Sequence, residues 1–175
     1  INDILDIESD RKHPIKCKRP IASGKLPVKI AIGAAIAFIA ITFPLAWWLS
    51  PGFALIAAAY FILNLAYSMW LKHVPLLDVL IIAAGFVLRV AAGVTVIVVD
   101  RFSPWLYVVM TLLALYLGFG KRRAELVLLA DGANSHRKVL DGYTIPLLDQ
   151  LITIVSATTI VSYSLYTFSA PNLPL

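Results

Sequence analysis

Five long apolar stretches leave this chain little choice of architecture. They run roughly over Leu26–Leu49, Gly52–Leu71, Leu76–Val99, Pro104–Gly120 and Tyr143–Phe168. Crossing the hydrocarbon core of a bilayer takes about 20 helical residues. Inside it the backbone has to satisfy its own hydrogen bonds, so segments of this length span as helices. The expected fold is all-α, a multi-span transmembrane helical bundle with five spans. Composition agrees: 60% of residues are hydrophobic and 14% charged, against about 25% charged in soluble domains. Arg89 interrupts the third stretch, which leaves room for two shorter segments there. Ser50-Pro51-Gly52 is a turn signal and Asp100-Arg101 a polar break. Links this short make consecutive helices antiparallel neighbours. No fixed-period repeat is visible.

Alternation of the spans sorts the charges. With residues 1–25 in the cytoplasm, every Lys and Arg except Arg89 and Arg101 falls on that side or at the entry of the first span. This is a strong positive-inside asymmetry. It predicts a multi-pass protein of the inner membrane with its polar face in the cytoplasm. The net charge of +5 then needs no nucleic-acid partner, and aromatics do not interleave with the basic residues as a nucleic-acid surface requires. Residues 1–25, the turn at Lys72 and a second loop over 121–142 are expected to converge over one cavity of a single intramembrane domain spanning 1–175. Cys17 is the one cysteine, which rules out an intrachain disulfide. No signal peptide is present, and the chain begins within a motif and without Met. It is therefore expected to be a fragment whose upstream part is missing.

The densest chemistry lies in the first ten residues. Asn2, Asp3, Asp6 and Asp10 spell NDxxDxxxD. At ~100° per helical residue these four fall within an arc of about 100°. Three carboxylates on one face repel one another unless a cation sits among them, and positive-inside topology gives no reason to place them there. Oxygen-only ligands suit Mg2+, which commonly bridges to substrate phosphates. Asp3, Asp6 and Asp10 are therefore the candidate catalytic residues. Asp3 and Asp6 are the first candidates for metal ligands, with Asn2 and Asp10 as further or water-mediated ones. Arg11, Lys12, His13, Lys16, Lys18 and Arg19 follow at once, and Lys16 and Arg19 are suited to phosphate oxygens. Pro14 and Pro20 break the helix into a loop, in which His13 is read as a hydrogen-bond partner, since Mg2+ prefers oxygen. Lys72 is a point cation for another phosphate, although Tyr67, Trp70 and Lys72 also fit the pattern of interfacial anchors. Within the third span, Asp78 and Arg89 are eleven residues apart and so roughly on one helix face. Arg89, near mid-bilayer, is a functional candidate by position, facing a carboxylate of another helix or a lipid phosphate. Asp78, near the cytoplasmic end, is read as hydrated.

The acidic cluster and its continuation, D-R-K-H-P-I-K-C-K-R-P-I-A-S-G from Asp10 to Gly24, resemble the first aspartate-rich motif of the UbiA superfamily of intramembrane prenyltransferases. Y-S-M-W-L-K-H over 67–73 is similar to that superfamily's Tyr/Lys motif, which implies substrate contacts for Tyr67 and Lys72. The chain departs from the family in its second acidic motif of the DxxxD kind. Between Lys121 and Tyr143 the acids are Glu125, Asp131 and Asp141, and none makes that spacing. K-R-R-A-E-L at 121–126, Y-S-x-x-L-K-H-V-P at 67–75 and L-L-D-Q-L at 147–151 are closest to the branch that moves phosphoribose onto decaprenyl phosphate.

The resemblance implies Mg2+-dependent transfer of 5-phosphoribose from phosphoribosyl pyrophosphate to a polyprenyl phosphate lipid in the bilayer, feeding cell-envelope arabinan synthesis. Lys16, Arg19, Lys72, Lys121, Arg122 and Arg123 would position phosphates, with Arg122 or Arg123 as interfacial anchors in the alternative. Glu125 would orient an Arg or bond a ribose hydroxyl. The rivals are a prenyl transfer from an allylic diphosphate to an aromatic acceptor, a phosphatidyl-alcohol transferase, whose DGxxAR pattern Asp141-Gly142-Tyr143 does not continue, and a membrane transporter. Oligomeric state is left open. The superfamily's nine helices would place this chain as helices three to seven, with two before and two after, a domain truncated at both ends. The 175 residues by themselves are expected to be inactive, and turnover of phosphoribosyl pyrophosphate by them would refute that.

Overall fold

The structure, a computed structural model, describes residues 2–12, 15–97, 104–130 and 138–169. Two short helices, α1 (Asn2–Leu5) and α2 (Ile7–Lys12), lead through a 3-10 turn (Lys16–Lys18) into α3 (Val28–Leu49), α4 (Pro51–Met69), α5 (Leu77–Val94), α6 (Pro104–Ala130) and α7 (Ile145–Ser169). The helices α3 to α7 are each long and apolar enough to cross a membrane, and the protein is an integral membrane protein of the all-α class. No strand occurs among the described residues.

Local chemistry sets the boundaries. Ser50 ends α3 and caps α4, its Oγ accepting from the Phe53 N–H at 3.4 Å, while Pro51 occupies the first helical position, where a missing N–H costs nothing. Within the spans, Thr42, Thr111, Thr153 and Ser156 donate to carbonyls four residues back, so these hydroxyls expose no unpaired donor to lipid. Large apolar side chains point outward: Trp48 is 87% exposed and Phe38 69%, the inverse of a water-soluble surface.

Each spanning helix packs on its neighbour in sequence, α3 on α4, α4 on α5, α5 on α6 and α6 on α7. The main core lies where α5, α6 and α7 meet, with Val79, Phe119, Val139, Leu140, Tyr143, Leu148 and Val155 buried together. Gly118 lets α6 approach α5 closely, since a Cβ there would overlap Val79. On the other side, Phe43 and Phe61 join α3 to α4 edge-to-face, with centroids 6.0 Å apart.

One expectation changes. The fourth span does not stop at Gly120: α6 continues to Ala130, so Lys121 to Glu125 stand on a helix and not in a loop. Hydropathy ends where charge begins, but Lys, Arg, Ala, Glu and Leu are all good helix formers. The third span is one helix through Arg89. Pro14, His13, Asp100, Arg101, Asp131 and Arg137 lie outside the described residues.

Candidate active site

Alternation of the spans gathers α1 and α2, the 71–76 turn and the start of α7 at one end of the bundle. There α1 touches α3 and α4, and the 3-10 turn Leu71–His73 touches the 3-10 turn Lys138–Gly142. The acidic helix face is real: the Asp6 N–H donates to the Asn2 carbonyl at 2.9 Å and the Asp10 N–H to the Asp6 carbonyl at 2.8 Å, so α1 and α2 run on as nearly one helix. Asp10 is 4% exposed, an unusual depth for a carboxylate, and a partner is required. That partner is Arg19, brought back by the turns after the 3-10 segment. One guanidinium nitrogen donates to both Asp3 Oδ1 at 2.8 Å and Asp10 Oδ2 at 2.9 Å. Lys72, buried in the middle of the 71–73 turn, pairs with Asp6. Three carboxylates from the N-terminal helices thus surround two cations drawn from elsewhere in the chain.

The donor set suits a hard cation. Asp3 and Asp10 already share a single positive nitrogen, which marks a point where oxygens from both can meet one charge. The four residues do not form a ready cage. Among the described residues no three acidic, His or Cys side chains close on one point, because Asp6 is drawn aside to Lys72 and Asn2 is exposed. Such an open arrangement is what Mg2+ tolerates when it takes one or two carboxylates and completes its shell with substrate phosphate and water.

The remaining candidates divide. Lys16 and Lys121 are exposed at this end of the bundle. Arg122 departs from the expected phosphate role. It is 2% exposed, and its Nε and Nη1 are taken by Asp78 Oδ2 at 2.6 Å and Glu125 Oε2 at 2.7 Å. Asp78 is fully buried and not hydrated, and accepts a second bond from the Tyr143 hydroxyl at 2.5 Å. Burial, reinforced by that bond to Asp78, pushes the Tyr143 phenol well above its ordinary range, so it stays protonated and keeps donating. Arg123 pairs with Asp149 of α7, joining α6 to α7 away from the acidic face. Sequence reasoning missed Tyr143 as anything but the start of a span, and it missed the Asp78–Arg122 pair.

Asp78 and Arg89 do not act on one side. Asp78 turns to α6, whereas Arg89 turns to α4, where it donates to the Tyr60 hydroxyl and lies 5.1 Å from the Tyr60 ring centre and 5.2 Å from that of Phe86. An Arg is long enough to reach sideways off the stripe its Cα occupies. Arg89, Tyr60, Asn64 and Tyr67 line a cleft between α4 and α5. Tyr67 is there and not on the carboxylates.

Comparison with known proteins gives a consistent picture. Residues 1–120 match the UbiA prenyltransferase family. The chain is 36% identical over 170 residues to the decaprenyl-phosphate phosphoribosyltransferase of Corynebacterium glutamicum, covering 96% of this chain and 51% of that protein. It is 37% identical over 169 residues to that of Mycolicibacterium smegmatis, covering 97% and 53%. The chain thus spans about half the length of the curated relatives it matches. Among solved structures, a UbiA homologue from Archaeoglobus fulgidus bound to DMAPP and Mg2+ superposes with a TM-score of 0.81 at 20% identity, over 98% of this chain and 62% of that one.

Proposed function

The chain belongs to the UbiA prenyltransferase family, and on that premise we propose that it carries the donor site of an enzyme that transfers 5-phosphoribose from phosphoribosyl pyrophosphate to a polyprenyl phosphate. The observation that carries the reading is the acidic face whose carboxylates surround Arg19 and Lys72, in a chain more than a third identical to enzymes of that name.

Asp3 and Asp10, which already meet one positive nitrogen, would hold Mg2+ against the pyrophosphate, with Asp6 and Asn2 as further or water-mediated ligands, and the ion would supply neutralisation of the charge that develops on the leaving group. In the transfer, the bond from ribose C1 to the pyrophosphate oxygen breaks and a bond from C1 to a lipid phosphate oxygen forms, through an oxocarbenium-like C1. The attacking oxygen is already anionic, so the chain needs no general base. Arg19 and Lys72 stand within hydrogen-bonding reach of the carboxylates and therefore beside the pyrophosphate, where positively charged donors fixed in advance stabilise the departing charge. Lys16 and Lys121 add positive charge at the same end of the bundle, and Glu125 acts through Arg122. Arg89 and Tyr67 face the membrane cleft, where a lipid substrate runs. The active site faces the cytoplasm, on the side where the Lys and Arg residues collect.

The test is an assay of the intact protein in membranes with labelled phosphoribosyl pyrophosphate and polyprenyl phosphate. Labelled lipid is expected, with turnover falling at least about a hundredfold in Asp3→Asn or Asp6→Asn, the scale of losing a group that stabilises transition-state charge. Label transferred instead from an allylic diphosphate to an aromatic acceptor would replace this reading with prenyl transfer. Transport that survives both substitutions would replace it with a transporter.

A further inference from the structure

Lys72 reaches Asp6 from a turn whose own backbone bonds are local ones, the His73 N–H donating to the Trp70 carbonyl at 3.1 Å and the Val74 N–H to the Leu71 carbonyl at 3.2 Å. The 71–76 turn is short, and it ends on Leu76 at φ 67°, ψ −45°, in the positive-φ region that side-chain-bearing residues rarely adopt. Such a conformation is strained and persists only when the surroundings over-determine it. Two contacts from the far end of the chain do so. The Leu76 N–H donates to the Tyr143 hydroxyl at 2.7 Å, and Gly142 sits so close to Pro75 that a Cβ would overlap its ring. Tyr143 is in turn held by donating to Asp78, which Arg122 holds from α6.

We infer that Tyr143 is a positioning residue for the acidic site: its hydroxyl fastens the 71–76 turn and so sets Lys72 against Asp6. The link runs from the segment before α7, through a backbone N–H, to a cation on the donor site, and Tyr143 itself bonds to none of Asp3, Asp6, Asp10 and Lys72. The inference rests on the proposed reading only in taking Lys72 as a ligand for pyrophosphate.

The experiment uses the intact protein in detergent and two readouts. The first is the rate of reductive methylation of the Lys72 amine, followed by peptide mass spectrometry with Lys29 as internal reference. Tyr143→Phe is expected to speed modification of Lys72 by roughly tenfold, the scale of one buried hydrogen bond, and to leave Lys29 unchanged. Unaltered protection of Lys72 overturns the inference whatever else is seen. Gly142→Ala pushes on Pro75 with Tyr143 in place, so if Tyr143→Phe does not fold it tests by the same readout whether displacing the turn exposes Lys72, and unaltered protection there overturns the inference as well. The second readout is affinity for magnesium pyrophosphate. It is expected to weaken in Tyr143→Phe, with no further loss when that change is made in a Lys72→Ala background. Losses that simply add would mean that Tyr143 does not act through Lys72, and would overturn it too. A wild-type protein whose Lys72 responds to Tyr143→Phe but which binds no magnesium pyrophosphate keeps the positioning role and removes the donor-site reading, so the two failures are told apart.

Discussion

Asp78 and Arg122 meet where neither is hydrated, and the price of separating them follows from that. Arg122→Ala would leave a fully buried carboxylate with the Tyr143 hydroxyl as its only remaining side-chain partner among the described residues. Breaking a buried pair on one side typically costs about 3–5 kcal/mol, and we expect a loss of that order in the unfolding free energy of the detergent-solubilised protein. Combining Arg122→Met with Asp78→Asn should recover much of it, because no charge is then buried and the amide oxygen still accepts from Tyr143. A double variant no more stable than Arg122→Ala would show that the packing of Arg122 matters, and not its charge. The acidic face was legible in the sequence because the spacing of Asp3, Asp6 and Asp10 is a property of one short helix. The Asp78–Arg122 pair was not. Its members are 44 residues apart on different helices, and which faces of α5 and α6 meet depends on their relative rotation, which no local pattern records.

At the scale of elements, the junction of α5 and α6 turns on one missing side chain. Gly118 leaves the space that Val79 fills, and Val79 is fully buried. Gly118→Ala gains about 1 kcal/mol of helix propensity, but it forces apart a packed contact at a typical cost of about 1–3 kcal/mol. The net expectation is a lower melting temperature that Val79→Ala restores when the two are combined. A Gly118→Ala protein at least as stable as the parent would mean that the helices shift at no cost. The existence of these helices was plain from sequence, because a run of apolar residues of bilayer length has few other solutions. Their ends were harder. Hydropathy reports where a helix leaves lipid and not where it stops being a helix, which is why the last turns of α6, from Lys121 to Ala130, read as loop.

For the whole molecule, the distribution of Lys and Arg makes a directional statement. With Cys17 replaced by Ser, a cysteine at Lys25 is expected to react with an impermeant thiol reagent only from the cytoplasmic side, and one at Ser50 only from the opposite side. The reverse pattern would overturn the proposed orientation. The helix order carries a different consequence. Every apolar helix packs on the one that precedes it, so the bulk of the bundle can form by adding hairpins as the chain emerges, with little loop entropy lost at each step. The contacts that close the polar end are of another kind: Lys72 to Asp6 spans 66 residues and Tyr143 to Asp78 spans 65. Assembly therefore has a built-in sequence in time, hydrophobic hairpins early and the polar end last. In refolding from denaturant, protection of Lys72 should lag behind burial at the α3–α4 contact, and simultaneous protection would contradict this order. A chain stalled before α7 is made would hold its acidic residues in place with the turn that carries their cation still unfastened.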